Sequence, residues 1–266
     1  MTNLSEEELG DLGRARQILE HPGVVVRLTD YLGLPVEGLL RRLPERARRA
    51  VADATRTALE RSLDLALRSL ERRSSRGVSD WLHRGVVATS GALGGAAGLP
   101  GLLLELPFSV TVMLRSIADH ARAAGEDLTE VASQLECLTV FAYGSRRPGQ
   151  GSESGYLAAR LTLGRAVARA SEFIAERGVA EALSEKSAPA LAQLVGRIAQ
   201  RLGTTVADKV AAQLVPLAGA LGGATLNTLF IHHYQDTAWA HFTLRRLERM
   251  HGTSAVEDAY RATPLG

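Results

Sequence analysis

The stretch Leu214–Gly252, LVPLAGALGGATLNTLFIHHYQDTAWAHFTLRRLERMHG, decides the fold. It opens as an uncharged small-residue segment and turns without a break into a helix that holds four of the chain's seven histidines. On a helix running from about Ala224 to Met250, Asn227, Tyr234, His241 and Glu248 recur every seventh position. Ile231, Ala238 and Arg245 fall between them at the i+4 offset, so all seven share one face. A second stripe, Leu226, Phe230, His233, Thr237, Ala240, Leu244 and Leu247, lies beside it and is mostly apolar. Two such stripes predict a helix buried on two sides, with a polar cluster on one of them.

The rest of the chain reads as helices around that one. Apolar residues make up 45% of the 266 positions but aromatics only 5%, a balance that favours closely packed helices over a sheet-rich fold. The expected fold is therefore an all-α, multi-helix globular bundle. Ser5 and Glu8 form a capping box for a first helix ending near His21, and Pro44 opens a long helix to about Arg73 with a seam of Leu59, Leu63, Ala66 and Leu70. Thr129 starts a further helix after Gly125. Helices over Tyr156–Arg177 and Pro189–Leu202 are stopped by Gly178 and Gly203, and Thr205 with Asp208 caps the next. After Gly252 only a frayed tail is expected.

From Val86 to Leu104 the chain carries no charge, and after Glu105 it stays uncharged to Leu114. That length formally reaches the membrane-spanning range. About seven strong apolar residues at roughly −0.3 to −0.6 kcal/mol each must, however, offset several glycines, Pro100, and a Glu105 costing about 2 to 3 kcal/mol, so full insertion is marginal. Gly91, Gly94, Gly95, Gly98 and Gly101 instead suit a close approach of two backbones. The hexapeptide GALGGA occurs here at Gly91–Ala96 and again at Gly219–Ala224. The two segments read as Gly-rich, closely packed apolar helical hairpins and as an internal pseudo-repeat. A tightly packed internal hairpin and a membrane-dipping one both fit.

Charge and motifs narrow the function. A net charge of +2 is too weak a bias for nucleic acid. Arginines flank the long helix (Arg41, Arg42, Arg46, Arg48 and Arg49 before, Arg68, Arg72, Arg73 and Arg76 near its end), which suits an anionic lipid surface or an ordinary solvated face interrupted by carboxylates. The single Cys137 excludes an internal disulfide, and the acidic start MTNLSEEELGDL lacks the pattern of a secretory signal, so a cytoplasmic location is expected, including the inner membrane face. Phosphate loops, nucleophile elbows and zinc signatures are missing from the sequence. His232, His233 and Asp236 lie one turn apart and leave a divalent metal contact open, with Asp119 and Glu105 as carboxylates from the first half. His241 points about 80° around from His233, so one ion would not easily take both. Arg115 is spaced for contact with Asp119.

The segments Ser90–Leu128 (SGALGGAAGLPGLLLELPFSVTVMLRSIADHARAAGEDL), Cys137–Gly144 (CLTVFAYG) and Leu214–Gly252 resemble the bacterial EcsC protein family over about Trp81–Gly252. The matching positions are Gly94, Gly95, Glu105, Pro107, Arg115, Ile117, Asp127, Asn227, His233, Asp236, His241, Arg245 and Glu248. The family takes its name from the third gene of an operon encoding an ABC transporter, so the resemblance implies work beside transport or envelope processes rather than a defined reaction. It divides the chain into N-terminal helices with the basic-flanked long helix (1–78), an EcsC-like helical core with a flexible loop (79–253, loop 144–155) and a tail (254–266).

Three functions are expected to compete. The first is a membrane-associated or lipid-binding accessory protein, with a lipid or membrane surface and a protein as partners. The second is a metal-dependent enzyme on an isoprenoid or acyl lipid, using Glu105, Asp236 and His241. The third is a ligand-free helical scaffold, in which Asn227, Tyr234, His241, Arg245, Glu248 and Arg115 are a structural polar cluster.

Overall fold

The computed structural model describes residues 4–20, 44–73, 98–143, 155–184, 189–213 and 216–264. Among these there are nine helices and no strand. The chain from His21 to Leu43, with Arg41 and Arg42, lies outside the described residues. So do Ser74–Ala97, with Arg76, Trp81 and the first GALGGA, and the loop residues 144–154.

The element at the centre is α8, Pro216–His251, 36 residues and about 54 Å long. Proline suits its first turn, where the missing N–H leaves nothing unpaired. The second glycine segment opens one continuous helix. Gly219, Gly222 and Gly223 cost helix stability, about 1 kcal/mol each against alanine, but glycine alone does not break a helix. Helices α1, α3, α7 and α9 pack against α8. As a result every residue from Ala240 to Leu244 is buried, and Phe230, Tyr234, Ala238 and Leu247 join them.

Helix α1, Glu6–Glu20, begins with the expected capping box: the Ser5 N–H donates to Glu8 Oε2 at 2.7 Å and the Glu8 N–H to Ser5 Oγ at 3.2 Å. Its buried residues Leu12, Ala15, Arg16 and Leu19 keep the i, i+3, i+4, i+7 spacing of an amphipathic helix. It lies antiparallel on α8, as Glu8 meets His251 (2.9 Å), Asp11 meets Arg246 (2.8 Å) and Arg14 sits 4.4 Å above the Trp239 ring.

Helix α2, Glu45–Arg73, starts directly after Pro44 and packs on α3 and α7. Its buried line runs through Val51, Thr55, Ala58, Leu59, Ser62, Leu63 and Leu67. Of the expected seam, Leu59 and Leu63 are buried, Ala66 is only half-buried while Leu67 beside it is fully covered, and the Leu70 side chain lies outside the described set. Helix α3, Gly98–Ala123, runs through Pro107 and ends before Gly125, whose φ of +83° places it in the region glycine favours. Thr129 does not start the next helix. Its N–H and hydroxyl both donate to Asp127 Oδ1 in an Asx turn, and α4, Val131–Thr139, follows from Glu130 and tightens into a 3₁₀ turn at Val140–Ala142.

Helix α5, Gly155–Arg177, stops at Gly178 and a short α6, Val179–Ala182, follows. Helix α7, Pro189–Gln213, corrects the sequence reading: it passes straight through Gly203, and Thr205 sits inside it with its hydroxyl donating to the Arg201 carbonyl. The Asp208 side chain lies outside the described set. Glycine ends a helix only where the backbone must turn left-handed, and Gly203 meets no such demand. Residues beyond Gly252 are a second correction. Thr253–Ala262 form α9, and Val256, Ala259 and Tyr260, spaced i, i+3, i+4, are buried against the bundle.

Two measurements follow. A Cβ at Gly203 meets nothing within 4 Å, so Gly203→Ala is expected to raise unfolding free energy by about 0.5–1 kcal/mol. Gly178, at φ +82° and ψ 161°, occupies a region nearly reserved for glycine, so Gly178→Ala is expected to lower it by about 1–3 kcal/mol. Equal effects of the two in urea titrations would contradict this assignment. Removing the fully buried Tyr260 side chain (Tyr260→Ala) is expected to cost about 3–5 kcal/mol, whereas a frayed tail predicts no change.

Candidate functional site

His241 is wholly buried at the point where α8 meets the start of α5, the end of α4 and the residue after the 3₁₀ turn. Its Nδ1 lies 2.7 Å from the Tyr156 hydroxyl, and its Nε2 faces Glu136 Oε2 at 3.5 Å. The Tyr143 ring stacks on the imidazole at 4.9 Å. A carboxylate opposite Nε2 selects the tautomer with hydrogen there, so the Nδ1 lone pair accepts the Tyr156 O–H. Burial pushes His241 below its ordinary value, more than Glu136 raises it, and the imidazole is neutral.

One turn on, Arg245 grips Glu126 with two hydrogen bonds, Nε to Oε1 at 2.8 Å and Nη2 to Oε2 at 3.0 Å, and reaches Glu136 at 3.5 Å. Arg249 adds a third donor to Glu126. On the other side Arg160 of α5 clasps Glu248 through both terminal nitrogens. Glu126, Glu136 and Glu248 against Arg160, Arg245 and Arg249 leave the network neutral. Burial alone would raise the Glu126 carboxyl, but the hydrogen bonds and charges of Arg245 and Arg249 outweigh it. Burial likewise opposes ionisation of Glu136, and the donors from His241 and Thr139 together with the Arg245 charge keep it well below the carboxylate range. Tyr143 and Tyr156 are pushed up, chiefly by burial.

In this arrangement Glu126 and Glu136 are ionised, all three carboxylates are paired, the tyrosines hold their protons, and the one neutral base has its lone pair occupied. Its chemistry is that of a clamp joining α4, α5 and the turn after α3 to α8. Removing one member leaves a buried charge without its partner, which costs about 3–5 kcal/mol in comparable cases.

The structure brings together three of the candidates, His241, Arg245 and Glu248, but pairs each outside α8. Tyr234 lies two turns away in an aromatic group with Phe141, Phe230 and His233. Arg115 forms no ion pair with the network among the described residues, and Asp119 pairs with Arg122 at 2.7 Å. His232 is exposed, His233 buried and Asp236 half-buried, so the three point to different surroundings. Among the described residues no group of three His, Cys, Asp or Glu is placed to hold a metal ion. The side chains of Glu105 and Asn227 lie outside the described set. Glu126, Glu136, Tyr143, Tyr156, Arg160 and Arg249 escaped the sequence reading. Glu126 and Arg245 stand 119 positions apart and Arg160 and Glu248 88, beyond any local spacing rule.

A family model matches residues 32–247, most of the chain. This chain belongs to the EcsC protein family. The EcsC match begins well before Trp81 and takes in α2, so the long basic helix is part of the family's common extent. It spans the network from Glu126 to Arg245, with Glu248 and Arg249 directly after its end, while α1 and α9 fall outside it. No curated protein and no solved structure matches the chain.

Acid should loosen the EcsC clamp in two stages. His241 takes up its proton more readily unfolded than folded, so its contribution is present above about pH 6.5 and lost as pH falls below that. Glu126 and Glu136 are likewise depressed when folded, and their contribution is lost below about pH 4.5. In urea titrations wild type is expected to lose stability between about pH 7.5 and 5.5, and His241→Asn to start lower and vary less over that range. A wild-type value unchanged over that interval would exclude a neutral buried His241.

Proposed function

We propose that this chain is a membrane-associated, lipid-binding helical accessory protein acting at the cytoplasmic face of the membrane. The observation that carries the reading is the parallel pairing of α3 and α8. Gln235 donates to Ser116 at 3.0 Å and Arg245 to Glu126 at 2.8 Å, both pairs 119 positions apart, so the two helices advance side by side in one direction. Their first turns therefore lie at one end of the bundle. Over residues 216–231 α8 has no charged side chain, and over 98–114 α3 has only Glu105. The polar clamp holds the other end of both.

Such an end favours the boundary of a bilayer over its full thickness. The uncharged part of α8 is about 24 Å long, short of the roughly 30 Å hydrocarbon layer, and among the described residues no helix is long and apolar enough to cross a membrane. Apolar turns that lie in the interface gain from burial among the acyl chains without moving charges through them. The scaffold reading has its own support in the clamp, whose carboxylates are all paired with arginines; it differs in predicting indifference to lipid.

Flotation of the full chain with phosphatidylcholine–phosphatidylglycerol vesicles decides between them. The chain is expected to rise with the vesicles, and Leu103→Asp with Leu221→Asp, which puts charge into both uncharged segments, to abolish this while leaving helix content by circular dichroism unchanged. A chain that stays at the bottom with every vesicle composition would overturn the lipid reading in favour of the scaffold.

A further inference from the structure

Helices α5 and α7 pack on each other and carry an unusual charge pattern. Residues 155–171 contain three arginines and residues 189–207 two, with no aspartate or glutamate in either stretch. Arg160 is turned inward onto Glu248. The other four, Arg165, Arg169, Arg197 and Arg201, are exposed. Arg197 Nη1 donates to the Thr162 carbonyl at 3.3 Å and so lies across the α5–α7 seam. Arg165 and Arg169 follow Thr162 by three and seven positions, on the same edge of α5. Arg201 stands one turn from Arg197 and donates to the Ala142 carbonyl at 3.3 Å. Among the described residues none of the four has a carboxylate partner, and the two carbonyl bonds leave most guanidinium donors unused.

The α2 surface, basic in sequence, is different in space. Arg48 and Arg49 share Glu45, Arg56 pairs with Glu60 and Arg68 with Asp64, so four of the eight α2 arginines are already held by carboxylates of their own helix. We propose that the exposed arginine face of α5 and α7 is the surface through which this protein contacts anionic phospholipid headgroups. Guanidinium forks suit phosphate. Leu161, 59% exposed on α5, adds an apolar side chain beside them, the combination that an interfacial helix uses. A single-stranded nucleic acid would instead call for stacking aromatics, and the exposed large hydrophobics of the described residues are Leu9, Leu65, Leu161 and Met250.

The inference rests on the membrane reading above and adds an orientation to it. Arg201 reaches the turn beside Tyr143, which stacks on His241, so the arginine face flanks the clamp half of α8. A membrane touching both this face and the uncharged helix ends runs alongside α8 rather than across its tip.

The test is flotation of the full chain with phosphatidylcholine vesicles with and without phosphatidylglycerol, at low and high salt. Two variants of equal charge change are compared: Arg165→Gln/Arg169→Gln/Arg197→Gln/Arg201→Gln on the proposed face and Arg46→Gln/Arg48→Gln/Arg49→Gln/Arg61→Gln on α2. Partitioning is expected to need phosphatidylglycerol, to weaken with salt, and to fall about a hundredfold or more in the α5–α7 variant, at about fivefold per arginine, while the α2 variant stays near wild type. Binding that survives the α5–α7 variant, or is lost in the α2 variant alone, overturns this face and leaves the membrane reading standing. If wild type ignores all vesicles, both fall, and arginine-dependent retention on polyglutamate would then assign the face to an acidic protein partner.

Discussion

The bundle depends on neutralising charge inside it. Glu126, Glu136 and Glu248 are nearly inaccessible, and each meets a guanidinium drawn from α5 or from the last turns of α8. An isolated carboxylate at that depth would take up a proton or unfold the site, so burying these three requires Arg160, Arg245 and Arg249 within reach. Because the partners come from distant segments, satisfying the charges fixes where those segments lie. Apolar packing alone would tolerate α5 sliding along α8; the Arg160 fork on Glu248 and the Tyr156 hydroxyl on His241 hold it at one register.

That constraint divides α8 into two working parts. The half from Phe230 onward is held by packing against α1, α3 and α9 and by the Tyr156 and Arg160 side chains of α5, with Glu8, Asp11 and Arg14 adding contacts from α1. The half before it has no charge to satisfy and begins alongside the start of α3, which over 98–114 carries only Glu105. A helix clamped firmly at one end can present its other end to a different medium without losing its place. The proposed role at a lipid boundary follows from that division, and the uncompensated arginines of α5 and α7 fit it electrostatically.

Much of this was legible from residue spacing. The capping box of Ser5 and Glu8, the start after Pro44 and the stop at Gly178 are local effects, each settled within one helical turn, and they were read correctly. The two buried stripes of α8 were legible for the same reason. Gly203 and Thr205 misled because a glycine and a hydroxyl signal an end only when the backbone there has somewhere else to go, and α7 continues to pack through Val206 and Val210. The segment after Gly252 was too short and polar to look structured, yet Tyr260 finds Glu20 and Tyr156 in a site made by α1 and α5.

By itself the sequence determined the all-α class, most helix ends, the face of α8 that is buried and the membership of the EcsC family, since periodicity, capping and composition act over a few residues and survive without a partner. Only the tertiary structure decided which charges meet. Arg245 could have paired with Glu248 or Glu105 as far as spacing goes; it pairs with Glu126 and Glu136 because α3 and α8 run parallel and bring the turn after α3 beside it. The fold also leaves four α2 arginines held by carboxylates of their own helix, whereas Arg165, Arg169, Arg197 and Arg201 of α5 and α7 are exposed with no carboxylate partner among the described residues. Pairing energy depends on distance in space, and chain folding sets that distance.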